Sequence, residues 1–167
     1  MRFPERVLVL VLALCSFSLV TSGQQHAKPV PRIIPTPQHF VVKNLQFALT
    51  KGTTIVLESN SQQDQFAAQQ INEELARWEH LALAVTGAQG LRQIPSKFIF
   101  VGSATSHIGR QLLSERNGSL RPEMAEEGYF LDVDAKGVVI IAASERGRLY
   151  GVMTLLQLMR REKNSVV

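Results

Sequence analysis

The apolar positions along the chain change period several times, and each change marks an element. Residues 7–20 form an unbroken stretch of 14 residues whose only polar members are two serines. Far behind it, residues 39–42 and 45–49 read as short strands. Gly52 then turns the chain into the β-branched run 53–57, a further strand. From Ser61 to about His80 the period lengthens: Ala67, Ala68, Ile71, Leu75 and Trp78 recur at helical spacing. Ser61 stands where an N-cap is wanted, and Asp64 falls inside the first turn. Residues 81–86 return to a strand pattern, 87–90 form a loop, and 97–101 are nearly continuous apolar chain, as a strand covered on both faces requires. Residues 103–116 are expected to form a short helix with loops. Residues 128–133 and 138–142 are two strands joined through Asp134, Ala135, Lys136 and Gly137, a hairpin. The last element starts near Ser144, with Leu149, Val152, Met153, Leu156 and Met159 on one helical stripe. Leu155 and Leu158 fall off that stripe, so they are expected on flanks that stay partly wet. The sum is an α+β fold, a mixed β-sheet with helices packed on one face.

The first 23 residues belong to a different kind of segment. Arg2 and Arg6 precede the apolar run, and small residues Thr21, Ser22 and Gly23 follow it. A basic start, a short apolar core and a small-residue exit describe a secretory signal peptide, with cleavage expected near residues 22–24. The run is short of the roughly 20 residues that span a bilayer, so no stable membrane span is expected after cleavage. An uncleaved anchor and a lipoprotein at Cys15 are the alternatives. The second lacks a small residue before the cysteine, where Leu14 stands. Cleavage removes Arg2, Glu5 and Arg6, lowering the net charge from +4 to +3, and it removes the single cysteine. A mature chain without thiols fits an exported protein, periplasmic or secreted, and fits a bacterial one better than a disulfide-stapled animal one. The organisation read from this is a signal peptide at 1–23, a proline-rich lead-in at 24–37, an α+β domain at 30–161 and a tail at 162–167. The lead-in holds Pro29, Pro31, Pro35 and Pro37, which disfavour both helix and central strand.

Composition then narrows the chemistry. At 167 residues the chain is too short for a (β/α)₈ barrel, which needs about 200 or more. Its 18 Lys and Arg against 14 Asp and Glu are scattered, without the basic stripe of a nucleic-acid reader, so no nucleic-acid partner is expected. No phosphate loop is present: Gly102 to Gly109 has the wrong spacing and puts Arg110 where the lysine belongs, and it reads as a strand-to-helix turn. Asp132, Asp134 and Gly137 imitate the start of a calcium loop, but Lys136 and Ala143 occupy later ligand positions, so solvated hairpin aspartates are expected. His26, His39, His80 and His107 give no pair at i, i+4 for zinc. Gly-x-Ser-x-Gly is missing. Glu73 and Glu74 are neighbours in a helix and point apart. Glu126 and Glu127 read as a solvated lead-in to a strand. Asn117-Gly118-Ser119 is a glycosylation sequon that matters only in a eukaryotic host. No catalytic, cofactor-binding or metal-binding residue is assigned, and no cofactor is expected.

The order of segments is more telling than any local motif. Ile33-Ile34-Pro35-Thr36-Pro37-Gln38 opens the domain, Gly52-Thr53-Thr54-Ile55-Val56-Leu57 follows, and Glu127-Gly128-Tyr129-Phe130-Leu131-Asp132-Val133 comes next. Gly147-Arg148-Leu149-Tyr150-Gly151-Val152-Met153-Thr154-Leu155-Leu156-Gln157-Leu158 closes it. In that order and spacing, over roughly residues 30–160, the chain resembles the N-terminal, non-catalytic domain of glycoside hydrolase family 20, the β-N-acetylhexosaminidases. The resemblance implies an accessory domain of a secreted glycoside hydrolase whose partner is a catalytic (β/α)₈ barrel in cis. It also implies that the chemistry belongs to an adjacent Asp-Glu pair on that barrel, the glutamate as general acid and the aspartate orienting the substrate's acetamido group. This sequence contains no Asp-Glu dipeptide, so no catalytic residue carries over. Related domains precede the barrels of some hyaluronidase-like family 84 enzymes, which leaves the parent family open. A free-standing exported module that binds a glycan or a protein is the other reading.

Overall fold

β-Branched and aromatic runs form the strands here, and the 3.6-residue periods form the helices. The computed structural model describes residues 33–43, 46–89, 91, 93–159 and 165–166, so the expected signal peptide and most of the lead-in lie outside the described residues. In chain order the elements are β1 (Phe47–Ala48), β2 (Thr54–Leu57), α1 (Gln62–Glu79), β3 (Ala84–Gly87), β4 (Phe98–Ser103), α2 (His107–Glu115), β5 (Tyr129–Val133), β6 (Gly137–Ala142), α3 (Glu145–Met159) and β7 (Ser165–Val166). A 3₁₀ turn at Pro122–Met124 precedes β5.

Five strands make one mixed sheet in the order β3-β2-β4-β6-β5. β3, β2, β4 and β6 run parallel, and β5 returns antiparallel to β6 through the hairpin. Register aligns Ile55 with Ile99 and Ile99 with Val138, while Val56, Phe100 and Val139 line up beside them. Because side chains alternate across a strand, the first set faces one side of the sheet and the second set the other. On the first side Ile55, Ile99 and Val138 meet Ala68, Ile71 and Leu75 of α1 and Val152 and Leu155 of α3 in one buried cluster. On the second, Val56, Phe100 and Val139 meet Leu112 of α2. The expected α+β architecture with a mixed sheet is present. The two long helices share one face as expected, and the short α2 with its loops covers the other. Ser165–Val166 pairs antiparallel with Phe47–Ala48 as a separate two-stranded ribbon.

Three local expectations are corrected. Residues 39–42 are not a strand: they run as irregular chain with Phe40, Val41 and Val42 exposed, having no ladder to join and no core to face. Trp78 leaves the apolar stripe of α1 and stands 64% exposed, its indole N–H donating to Glu74 Oε1 at 2.7 Å. The wet-flank reading of α3 fails outright. Leu155 is 0% and Leu158 2% exposed, whereas Leu149, Met153 and Met159 are only partly buried. A helix on one layer buries one stripe, but α3 touches β4, β5 and β6 and also α1, so it buries more than one. No helix among the described residues is long and apolar enough to cross a membrane.

Candidate functional site

The glycines of α3 set how closely it approaches the sheet. A Cβ on Gly147 would sit 2.5 Å from the Gly128 carbonyl oxygen and 2.8 Å from the Ala142 Cβ, and one on Gly151 would sit 2.5 Å from Ile140 Cγ2. Glycine at i and i+4 thus clears one face, and the other residues of the segment fill what remains. Thr154 Oγ1 lies 2.6 Å from the Tyr129 hydroxyl, joining α3 to β5. Gln157 grips the main chain of Ile34 twice, accepting from its N–H and donating to its carbonyl, both at 2.9 Å. That pair of bonds fastens the start of the domain to its last helix. Most of the segment Gly147–Leu158 is therefore used in packing, Tyr150 alone among its large residues standing exposed.

Arg148, in the same segment, reaches the carboxyl end of the sheet. Its Nε donates to Asp64 Oδ1 at 2.8 Å and its Nη2 to Asp64 Oδ2 at 3.1 Å, a bidentate pair with both side chains buried. Asp64 Oδ2 also accepts the Ser59 hydroxyl, and the Asp64 N–H is capped by Ser61 Oγ at 3.1 Å. Both carboxylate oxygens of Asp64 are thus filled from within the protein. The pair links α1 to α3 and leaves no net charge behind.

Glu58 stands immediately past β2 and behaves differently. Its Oε2 accepts the N–H of Ser103 at the end of β4, bridging two parallel strands at their carboxyl ends. Gly102 makes room for it, since a Cβ there would lie 2.7 Å from that oxygen. Burial raises the Glu58 pKa above the ordinary carboxylate value, Asp64 adding to the rise while the Ser103 N–H and the Arg148 charge oppose it. The topology makes this position special. From β2 the chain moves through α1 to β3 on one side, then crosses back to β4 on the other, and α1 and α2 pack on opposite faces. Crevices outside the carboxyl ends of parallel strands at such a reversal are the recurrent ligand positions of open α/β sheets. Beside Glu58 a groove of about 440 Å³ opens between the end of β2, the start of α1 and β3.

The candidates singled out in the sequence fall elsewhere. Asp132 and Asp134 are not solvated hairpin residues. Asp132 is buried, with Lys43 on Oδ1 and Arg116 Nη1 at 2.7 Å from Oδ2, and Asp134 Oδ1 lies 3.0 Å from Arg116 Nη2. Cations of the protein itself occupy those oxygens, because Arg116 at the end of α2 folds back over the hairpin. Glu73 and Glu74 diverge as expected, Glu73 to solvent and Glu74 into a buried setting with Arg77 and Trp78. Glu126 and Glu127 are exposed, Glu127 pairing with Arg146 at 3.3 Å. Gly102 to Gly109 is the strand-to-helix turn between β4 and α2, with Ser106 Oγ capping Gly109 N–H at 2.8 Å. His80 ends α1 in the left-handed conformation, φ 52°, and Asn117 of the sequon does the same after α2. Among the described residues no group of three or more His, Cys, Asp or Glu is placed to hold a metal ion. Sequence reasoning missed Glu58 and Arg148, whose partners Ser103 and Asp64 lie 45 and 84 residues away.

A family model described as glycosyl hydrolase family 20, domain 2 matches residues 30–167. None of the curated proteins matches the chain significantly. Among solved structures, the N-acetyl-β-hexosaminidase of Streptomyces plicatus is similar at 25% identity and a TM-score of 0.54, over 78% of this chain and 21% of that one. The family 20 β-N-acetylhexosaminidase of Streptomyces coelicolor A3(2) is similar at 23% identity and 0.53, over 75% and 21%. The protein CpGH84D is similar at 12% identity and 0.63, over 82% and 22%. The last two likenesses show the fold alone. The chain spans about a fifth of the length of each of these proteins.

Proposed function

This chain belongs to the domain 2 family of glycosyl hydrolase family 20, and from that premise we propose that it is the N-terminal accessory domain of an exported β-N-acetylhexosaminidase-type glycoside hydrolase. In this reading it serves a catalytic barrel in cis and contributes no catalytic residue itself. The observation that carries it is the family match over residues 30–167, nearly everything behind the apolar N-terminal run. The use of the closing segment supports it: Gly147, Arg148, Gly151, Thr154 and Gln157 are spent on holding α3 to its neighbours. A two-carboxylate glycosidase needs one acid free to protonate the leaving oxygen and a second carboxylate free to face the substrate. Asp64, the carboxylate coupled to Glu58, has both oxygens occupied and is 1% exposed. The similarity to CpGH84D, at 12% identity, leaves the choice of family 20 over family 84 resting on the family model.

Export rests on residues 1–23, with a mature N-terminus near residues 22–24. Sequencing the gene beyond codon 167 tests the main proposal. An in-frame (β/α)₈ barrel carrying an adjacent Asp-Glu pair is expected. A stop codon there would favour the free-standing binding module instead.

A further inference from the structure

The groove beside Glu58 belongs to no packing task described above, and its lining is chemically specific. Glu58, Asn60, Gln65, Thr86 and Gln89 line it with a carboxylate, three amides and a hydroxyl, and Val85, 48% exposed, adds an apolar patch. Gln65 Nε2 donates to Asn60 Oδ1 within the lining, and the remaining amide, hydroxyl and carboxylate atoms can both donate and accept hydrogen bonds at close range. None of the described lining residues is cationic, and the nearby Arg148 guanidinium is turned into its bidentate bond with Asp64. An anionic ligand would therefore meet the Glu58 charge without compensation. No aromatic ring is among the described lining residues to stack a nucleobase. What the surface matches is a neutral polyhydroxylated ring, with hydroxyls toward the amides and carboxylate and a C–H face on Val85.

We infer that this groove is a saccharide-binding subsite, with Glu58 accepting hydrogen bonds from adjacent ring hydroxyls. Glu58 is suited to this by geometry: Oε2 is tied to the Ser103 N–H, which fixes the carboxylate at the rim of the groove. Its raised pKa reflects partial loss of water, which strengthens each hydrogen bond it accepts. The volume of about 440 Å³ lies within the range of about 300 to 1,000 Å³ usual for small-molecule sites. The inference does not depend on a barrel following the domain, because every residue it uses lies in this chain.

The test is ¹H–¹⁵N NMR of the purified chain titrated with two uncharged probes, tetramers of β-1,4-linked glucose and of β-1,4-linked N-acetylglucosamine. Saturable shifts from either probe at residues 57–60, 65 and 85–89 are expected. Glu58→Ala should weaken binding about tenfold or more, as loss of a charge-assisted hydrogen bond does. Because that variant also strands the Ser103 N–H, a second variant guards against misfolding. Gly87 lines the groove and a Cβ on it meets nothing within 4 Å, so Gly87→Leu adds bulk at the groove without removing a contact, and it should weaken or abolish the shifts while the remaining spectrum stays native. No saturable shift with either probe, shifts centred elsewhere, or binding unchanged in a folded Gly87→Leu chain would each overturn the assignment.

Discussion

At the scale of single residues, one buried pair ties α1 to α3. Arg148 and Asp64 stand 7% and 1% exposed as side chains, so truncating either leaves the other charged and unpaired in the interior. Arg148→Met should cost about 3 to 5 kcal/mol, whereas Asp64→Leu combined with Arg148→Met should recover much of the loss, since apolar residues of similar volume can replace a buried pair. Urea unfolding of the two single variants and the double variant measures this, and simple additivity would contradict it. Glu58 gives a pH signature of the opposite sign to the usual carboxylate. Its folded pKa is raised, so the native chain retains a proton that the unfolded chain has released. The contribution of Glu58 is most favourable at low pH and is lost as pH rises from the ordinary carboxylate range through the raised value. Glu58→Gln keeps an acceptor for the Ser103 N–H and removes the titration. Its melting temperature relative to wild type should therefore rise between about pH 4 and pH 7; a constant difference would contradict the burial argument.

At the scale of elements, α3 is the part on which the others register. Gly147→Ala gains the helix propensity of alanine, about 1 kcal/mol, but puts a methyl 2.5 Å from a backbone carbonyl that cannot rotate away. Overpacking costs about 1 to 3 kcal/mol and more where backbone must move, so net destabilisation is expected in the same urea experiment. Leu155→Ala should cost about 2 to 5 kcal/mol, as for any large core residue. The period of α3 was plain in the sequence, yet its buried face was not. Periodicity reports one stripe, whereas α3 packs against α1 as well as the sheet, and Leu155 and Leu158 share the buried cluster that holds Ala68, Ile71 and Leu75 of α1. The runs at 53–57, 97–101 and 138–142 were legible as strands because continuous β-branched chain suits a sheet covered on both faces. Glu58 was illegible for a related reason: what surrounds it arises from pairing β2 with β4, elements separated by α1 and β3.

At the scale of the whole molecule, most of the closing segment Gly147–Leu158 is spent on cohesion, and the groove at the carboxyl edge is the proposed recognition surface. A bidentate lock, a pair of close-packed helix glycines and a glutamine clamp on Ile34 hold sheet, helices and lead-in together. This chain spans about a fifth of the length of the solved hexosaminidases it resembles, and in the proposed reading the bond-breaking residues lie outside it. The most direct measurement is hydrolysis of an aryl N-acetyl-β-glucosaminide by the purified chain, with Glu58→Gln as its companion. No turnover above buffer is expected from either. Turnover that persists through rigorous purification and disappears in Glu58→Gln would contradict it, for it would make Glu58 a catalytic acid and this chain an enzyme in its own right.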